Sequence, residues 1–244
     1  MINEIVLAII QAATEFLPIS SSGHLALISN LIGISDIFFF TILHIASLIA
    51  VLFFTREEIY QLITFERKYR KMWIFLIIAT IPAALFGLFF KSLIESSFSS
   101  FLFLGIAFIF TGFVLLLTRF ARGRRELNWK NTLFVGLFQV LALFPGVSRS
   151  GMTISAGLFS GIEREKAAKF SFLLFIPLSI GAVILESGKA YFSISLLLGF
   201  FITFILSLVF LQLLLNIIKK GKFWMFSFYC FLVGIISLIL YLFL

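Results

Sequence analysis

Long apolar runs alternate with short polar breaks along this chain, and the runs come in two lengths. Six of them, over 37–55, 73–90, 101–118, 170–185, 191–215 and 223–244, can cross or nearly cross a hydrocarbon core ~30 Å thick as helices. The 170–185 run is the shortest, and Lys169 and Glu186 at its ends can reach back to the interface. Four more apolar pieces, 5–17, 25–34, 132–144 and 153–162, are too short or too broken to span. Serine-rich turns join them in pairs: SSSGH (Ser20 to His24) in the first and SRSG (Ser148 to Gly151) in the second. Paired pieces of this length predict re-entrant helix-turn-helix hairpins. Their irregular backbone is tolerated at membrane depth only inside protein or beside water.

The order is hairpin and three spans, twice, in one membrane domain over 1–244, with a first repeat over 1–118 and a second over 132–244. A shift of 128 positions lays Gln11, Phe16, Ser20, Ser22 and Gly23 onto Gln139, Phe144, Ser148, Ser150 and Gly151. Five identities in the 14 positions from Gln11 to His24 exceed the one that composition would give by chance, roughly. An odd number of spans per half inverts the second copy, and inverted repeats with broken segments in matching places point to a site near the midplane. The predicted fold is an all-α polytopic membrane protein: six transmembrane helices plus two re-entrant helix-turn-helix hairpins arranged as an inverted repeat.

Composition supports this and removes other classes. The chain is 61% hydrophobic and 12% charged, against roughly 25% charged in a soluble domain, so a water-solvated surface is excluded. The net charge of +8 does not indicate nucleic-acid binding, because 18 of the 19 Lys and Arg fall in short segments between or beside apolar runs. Five lie in 56–71, five in 119–130, and three each in 164–169 and 219–222, whereas the segments holding Lys91 and Lys189 carry one each. With the rich segments in the cytoplasm, the six spans alternate without conflict. Both termini then face outward, the first hairpin enters from outside and the second from the cytoplasm. MINEIVLAII lacks a basic stretch and a small-residue cleavage site, so no removable signal peptide is expected. Cys230, alone in the last run, forms no intramolecular disulfide and is read as packing.

Arg149 is the basic residue outside the loops, and with Glu15 and His24 it falls in apolar surroundings. An ionisable group at bilayer depth is a functional-site hypothesis by default. Gln11 and Glu15, four apart, share a helix face. Pro18 discourages further helix, and Ser20, Ser21 and Ser22 offer hydroxyls and free N–H groups at the next helix start, where anions are favoured. In the second turn Ser148, Ser150 and Thr153 surround another helix start, and Arg149 adds a fork of donors that matches phosphate oxygens. A carboxylate, an imidazole, hydroxyls and two anion-binding helix ends are the parts of a phosphoryl-transfer site. Leu143 and Met152 occupy the positions matching Glu15 and His24, so the halves have diverged. Structural readings stand beside this: a buried Glu15–Arg149 pair joining the halves, a satisfied core His24, an ordinary cap at SSSG. His44 is read as core packing, Gly157 and Gly161 as close helix packing, and Glu163 to Lys166 as a solvated cap.

The two turns resemble the undecaprenyl-diphosphatase family, the bacterial bacitracin-resistance phosphatases. Gln11, Glu15, Phe16, Leu17, Pro18, Ser20, Ser21, Gly23 and His24 match its first motif, and Pro145, Gly146, Ser148, Arg149, Ser150, Gly151 and Thr153 its second. The resemblance implies a plasma-membrane hydrolase that removes the terminal phosphate of undecaprenyl diphosphate to recycle a cell-wall lipid carrier, with a homodimer open. It implies a divalent cation, Mg²⁺ ahead of Ca²⁺, with Glu15 as ligand and Gln11 where many members carry Glu. The catalytic candidates are Glu15, Ser21, His24 and Arg149, with Ser21 as nucleophile or water-positioning hydroxyl and His24 as general acid/base; the alternative makes His24 the nucleophile. Ser20, Ser22, Ser148, Arg149, Ser150 and Thr153 are the phosphate-binding candidates. A transporter or flippase of a phosphorylated lipid or anion, using the same groups, is the competing class.

Overall fold

The computed structural model describes residues 2–33, 36–64, 70–185 and 191–243, and among them the secondary structure is helical, with one isolated bridge between Arg125 and Ile162. Six helices are long and apolar enough to cross a membrane: α3 (Ile37–Phe54), α5 (Arg70–Phe89), α7 (Phe101–Leu117), α10 (Arg164–Leu185), α11 (Ile194–Lys219) and α12 (Phe226–Phe243). Four shorter ones form two pairs: α1 (Ile2–Phe16) with α2 (Ser21–Ile32), and α8 (Trp129–Leu141) with α9 (Arg149–Phe159). Two small helices, α4 (Arg56–Ile63) and α6 (Lys91–Ser96), lie between spans. At 1.5 Å per residue, even the 15-residue α1 is about 22 Å long, short of the hydrocarbon thickness.

Two boundaries differ from the sequence expectation. The short 170–185 run is part of a 22-residue helix that starts at Arg164. The charges read as a solvated cap are its first turn, with Glu163 just before it. Lys169 therefore does not reach back from a helix end; its ammonium pairs with Glu58 at 2.8 Å. Glu186, Lys189, Arg67 and Lys68 lie outside the described residues. The 191–215 run is a helix displaced toward the C-terminus, over Ile194–Lys219.

Ion pairs tie the basic segments together at one end of the bundle. Lys169 meets Glu58, Lys219 meets Glu165 at 3.1 Å, Lys166 meets Glu126, and Arg125 N–H donates to the Gly161 carbonyl at 2.8 Å. The opposite end gathers the N-terminal region and the start of α11. Ser195 donates to Glu4 at 3.0 Å, and the Tyr191 hydroxyl donates to Asp36. Burial and the Asp36 carboxylate push that hydroxyl up to about 12, so it stays a donor. Glu4 opens α1 and Asp36 follows α2, so the α1–α2 pair leaves from and returns to this end. The α8–α9 pair begins and finishes beside Glu126 and Gly161, at the basic end.

Packing follows a reciprocal pattern. α1 lies on α11 as α8 lies on α5, α7 pairs with α12, and α3 with α10. The α5–α8 contact is close because Gly136 has no side chain: a Cβ there would sit 2.8 Å from the Ala79 Cα and carbonyl oxygen. Small residues at such contacts let membrane helices approach and gain dispersion energy. Gly136→Val should cost about 1–3 kcal/mol, as overpacking does, and lower the melting temperature in detergent. Gly87→Ala, whose Cβ would meet only Leu143 Cδ1 at 3.8 Å, should leave it unchanged. Equal melting of the two variants would contradict this packing.

Candidate functional site

The first turn is built around Ser20. α1 stops at Phe16, and Pro18 cannot donate to a continuing helix. Ser20 then adopts φ 67°, ψ 97°, the one positive φ at a non-glycine among the described residues. Such a conformation is sparsely populated and needs support from its surroundings. Here the Ser20 hydroxyl accepts from Gly23 N–H at 3.2 Å, capping α2, and from Gly146 N–H at 3.1 Å in the other turn. Its carbonyl accepts from His24 Nδ1–H at 2.7 Å and His24 backbone N–H at 3.2 Å. The N–H groups of Ser21 and Ser22 remain at the open helix end.

The second turn is held from both sides. Thr111 on α7 donates to the Gly146 carbonyl at 2.9 Å and accepts from Ser148 N–H at 3.3 Å. Gly146 itself sits at φ 90°. Ser148 caps α9 by accepting from Gly151 N–H at 3.1 Å, which leaves the N–H groups of Arg149 and Ser150 free of intrahelical partners. A Cβ on Gly23 would strike Gly146 at 2.7 Å, so the two turns touch backbone to backbone.

This contact brings Glu15 and Arg149 together. Arg149 Nη2 donates to Glu15 Oε1 at 2.8 Å, while Ser21 Oγ donates to Oε2 at 2.6 Å and Gln11 Nε2 to the same oxygen at 2.9 Å. The guanidinium lies 3.7 Å from the Phe175 ring centroid, a cation–π contact that helps hold a desolvated charge. Arg149 Nη1 is buried and has no hydrogen-bond partner. Glu15, Ser20, Ser21, Ser22, Ser148 and Arg149 all line one cavity of ≈ 490 Å³.

The other candidates are placed differently. Gln11 is fully buried behind Glu15 and reaches the cavity only through it. Ser150 does not line the cavity; its hydroxyl turns to the Leu17 carbonyl at 3.4 Å. Thr153 donates to the Arg149 carbonyl and meets Ser171 Oγ at 2.6 Å, so it braces α9 against α10. The largest correction concerns the histidines. His24, expected to work beside Ser21, faces a separate cavity on the other side of the turn. A carbonyl takes its Nδ1–H, so Nε2 accepts from the Tyr229 hydroxyl at 2.8 Å. His44, expected to be core packing, lines the main cavity with Nε2 3.5 Å from Glu15 Oε2. The available signal was its position, an ionisable group in the middle of a span.

Among the described residues, no three His, Cys, Asp or Glu side chains come together to cage a metal. Glu15 and Gln11 do fit a cation completed by a ligand. Gln11 Oε1 is buried without a partner, and turning its amide over, which exchanges oxygen and nitrogen, would place that oxygen 2.9 Å from Glu15 Oε2. Adjacent oxygens of an octahedron with bonds of ~2.1 Å lie about that far apart.

Comparison with known proteins gives the family of the chain. Residues 4–236 match the family described as "Bacitracin resistance protein BacA". A relative from Thermosipho africanus is 41% identical over 243 residues, covering 96% of this chain and 98% of its own. One from Alkaliphilus metalliredigens is 40% identical over 265 residues, covering 96% of each chain, and one from Korarchaeum cryptofilum is 37% identical over 250 residues, covering 95% of each. All three are named undecaprenyl-diphosphatase. With nearly the whole length matched, the chain belongs to the bacitracin resistance protein BacA family.

Proposed function

We propose that this protein hydrolyses undecaprenyl diphosphate in the plasma membrane, releasing inorganic phosphate and returning undecaprenyl phosphate as a lipid carrier for cell-wall synthesis. One observation carries the reading: Ser21, Glu15 and Arg149 meet in a single cavity between two helix starts. A phosphoanhydride needs positioning and charge stabilisation more than elaborate covalent chemistry. The Arg149 fork and the free N–H groups opening α2 and α9 are of the kind that stabilise the equatorial oxygens of a transferred phosphoryl group, which supports the reading.

In this scheme Ser21 Oγ attacks the terminal phosphorus and gives its proton to Glu15 Oε2, 2.6 Å away. A Ser–O–P bond forms, the anhydride P–O bond breaks, and undecaprenyl phosphate leaves. Glu15 passes the Ser21 proton to the departing phosphate oxygen. Water then cleaves the phosphoserine, with Glu15 taking a proton from the water and returning it to Ser21 Oγ as the Oγ–P bond breaks, and inorganic phosphate departs. Glu15 thus takes the proton-accepting role expected of His24, whose imidazole instead braces Ser20. Arg149 releases Glu15 as it takes phosphate oxygens, with Nη1 free to join at once. A bound Mg²⁺ or Ca²⁺ would neutralise diphosphate charge, and Glu15 with Gln11 would hold it. Hydrolase names among the relatives weigh against the transporter reading.

We further read α1–α2 and α8–α9 as opposed re-entrant hairpins of an inverted repeat, one half over 1–118 and the other over 132–244. The reciprocal packing and the return of each pair to its own end support this. The clustered basic segments belong in the cytoplasm by the positive-inside rule. The cavity, extending toward the opposite ends of α5 and α10, then opens to the outer side.

Phosphate release from undecaprenyl diphosphate in detergent tests the reading. Ser21→Ala should lower turnover at least ~10²-fold, the scale on which positioned proton-transfer groups act; near-normal turnover would remove Ser21 as nucleophile. Arg149→Lys keeps the charge but loses the fork, and should lower turnover by about 10²-fold or more, as loss of a preorganised donor does. An Arg149→Lys enzyme at wild-type rate would contradict the role of the guanidinium.

A further inference from the structure

The main cavity does not end at the serines. From Glu15 and Arg149 it continues as an apolar arm between α5 and α10. Thr80, Ala84 and Leu88 recur every fourth residue and form one wall, on one face of α5. Leu178, Gly181 and Leu185 follow at three and four residues and form the facing wall on α10. No charged side chain lines this arm among the described residues, and its far end is bordered by the exposed Leu88 and Ile184. Both walls belong to helices apolar enough to cross a membrane, so an apolar opening between them suits a lipid chain at the outer side.

Gly181 is the narrowest chemical choice on either wall. A Cβ built there meets nothing within 4 Å, so the space beside it is empty, unlike the tight contacts that explain Gly136 or Gly23. A glycine that packs against no helix, facing a cavity, leaves room for something else.

We propose that this arm receives the first isoprene units of the substrate's lipid tail, and that Gly181 sets its bore. The inference rests on the diphosphatase reading above and adds where the tail runs. Continuity with the polar end fixes the occupant: a chain attached to a diphosphate held by Arg149 has the arm as its apolar exit. A cavity of ≈ 490 Å³ lies within the about 300–1,000 Å³ of small-ligand sites. It holds the headgroup and the nearest units, and the rest of an undecaprenyl chain lies in the bilayer.

The test is a size series at this position, Gly181→Ala, Gly181→Leu and Gly181→Trp, with Ile180→Trp as control because Ile180 is exposed on the same helix. KM and kcat for undecaprenyl and farnesyl diphosphate are measured, with melting temperature as a check on folding. KM should rise with side-chain size, by about tenfold or more for Trp, the scale of a lost apolar pocket contact. The control should stay at the wild-type value, and so should melting across the series. A KM flat within the series, or raised equally by Ile180→Trp, overturns the arm while leaving the diphosphatase reading intact. A wild-type protein that releases no phosphate from either lipid overturns that reading and this inference with it.

Discussion

Two charges from distant parts of the chain can be buried here only because they meet. Glu15 and Arg149 are separated by 134 positions and are both largely desolvated, in a chain with six helices apolar enough to cross a membrane. Either one alone at the centre of a membrane helix would cost about 2.5–3.5 kcal/mol by insertion scales, and more by other measures. A buried pair compensates its desolvation only when the remaining hydrogen-bonding capacity is also satisfied. Glu15 receives Ser21 and Gln11 besides the guanidinium, and Arg149 has the face of Phe175. The pair requires the two turns to be in contact, and the helices around them are arranged to allow it. Arg149 Nη1 is left buried without a hydrogen-bond partner, and the proposed phosphate contact would use it.

The strain of bringing two turns together is concentrated at Ser20. Its left-handed backbone places one hydroxyl between two helix starts, accepting from Gly23 on its own side and Gly146 on the other. His24 is part of the same construction, since its ring and backbone both occupy the Ser20 carbonyl and Tyr229 fixes the far nitrogen. A histidine near a candidate nucleophile thus serves the turn, while a histidine from another helix faces the carboxylate. Thr111 performs the corresponding bracing on the second turn.

Much of this was legible in the residues. Run lengths separate six long helices from four short ones, and the 128-residue offset pairs the two turns that touch in the structure. A cap at SSSG and a buried Glu15–Arg149 pair stood in the sequence as structural readings beside the catalytic one, and the structure shows both contacts. What was not legible depends on direction. Helical periodicity says which residues share a face, but not which way a side chain leaves the first turn of a helix, so His24, Ser150 and Thr153 were assigned to a cavity they do not line. His44 was passed over because a lone imidazole within a run of Ile, Leu and Phe has no partner nearby in sequence; its partner arrives from α1. The start of α10 was missed because Arg164, Glu165 and Lys166 read as loop charges, although a helix can carry such residues beyond the membrane, where Lys166 and Lys169 find acidic partners.

The central claim is that Glu15 and Arg149 act as one unit in hydrolysis. A double-mutant cycle on phosphate release, with Glu15→Gln, Arg149→Gln and the two combined, measures this most directly. Groups that act as a unit are strongly non-additive. The account predicts that each single substitution removes nearly all turnover and that the double variant is scarcely worse than either. Losses that multiply across the cycle, as for two independent sites, would contradict it.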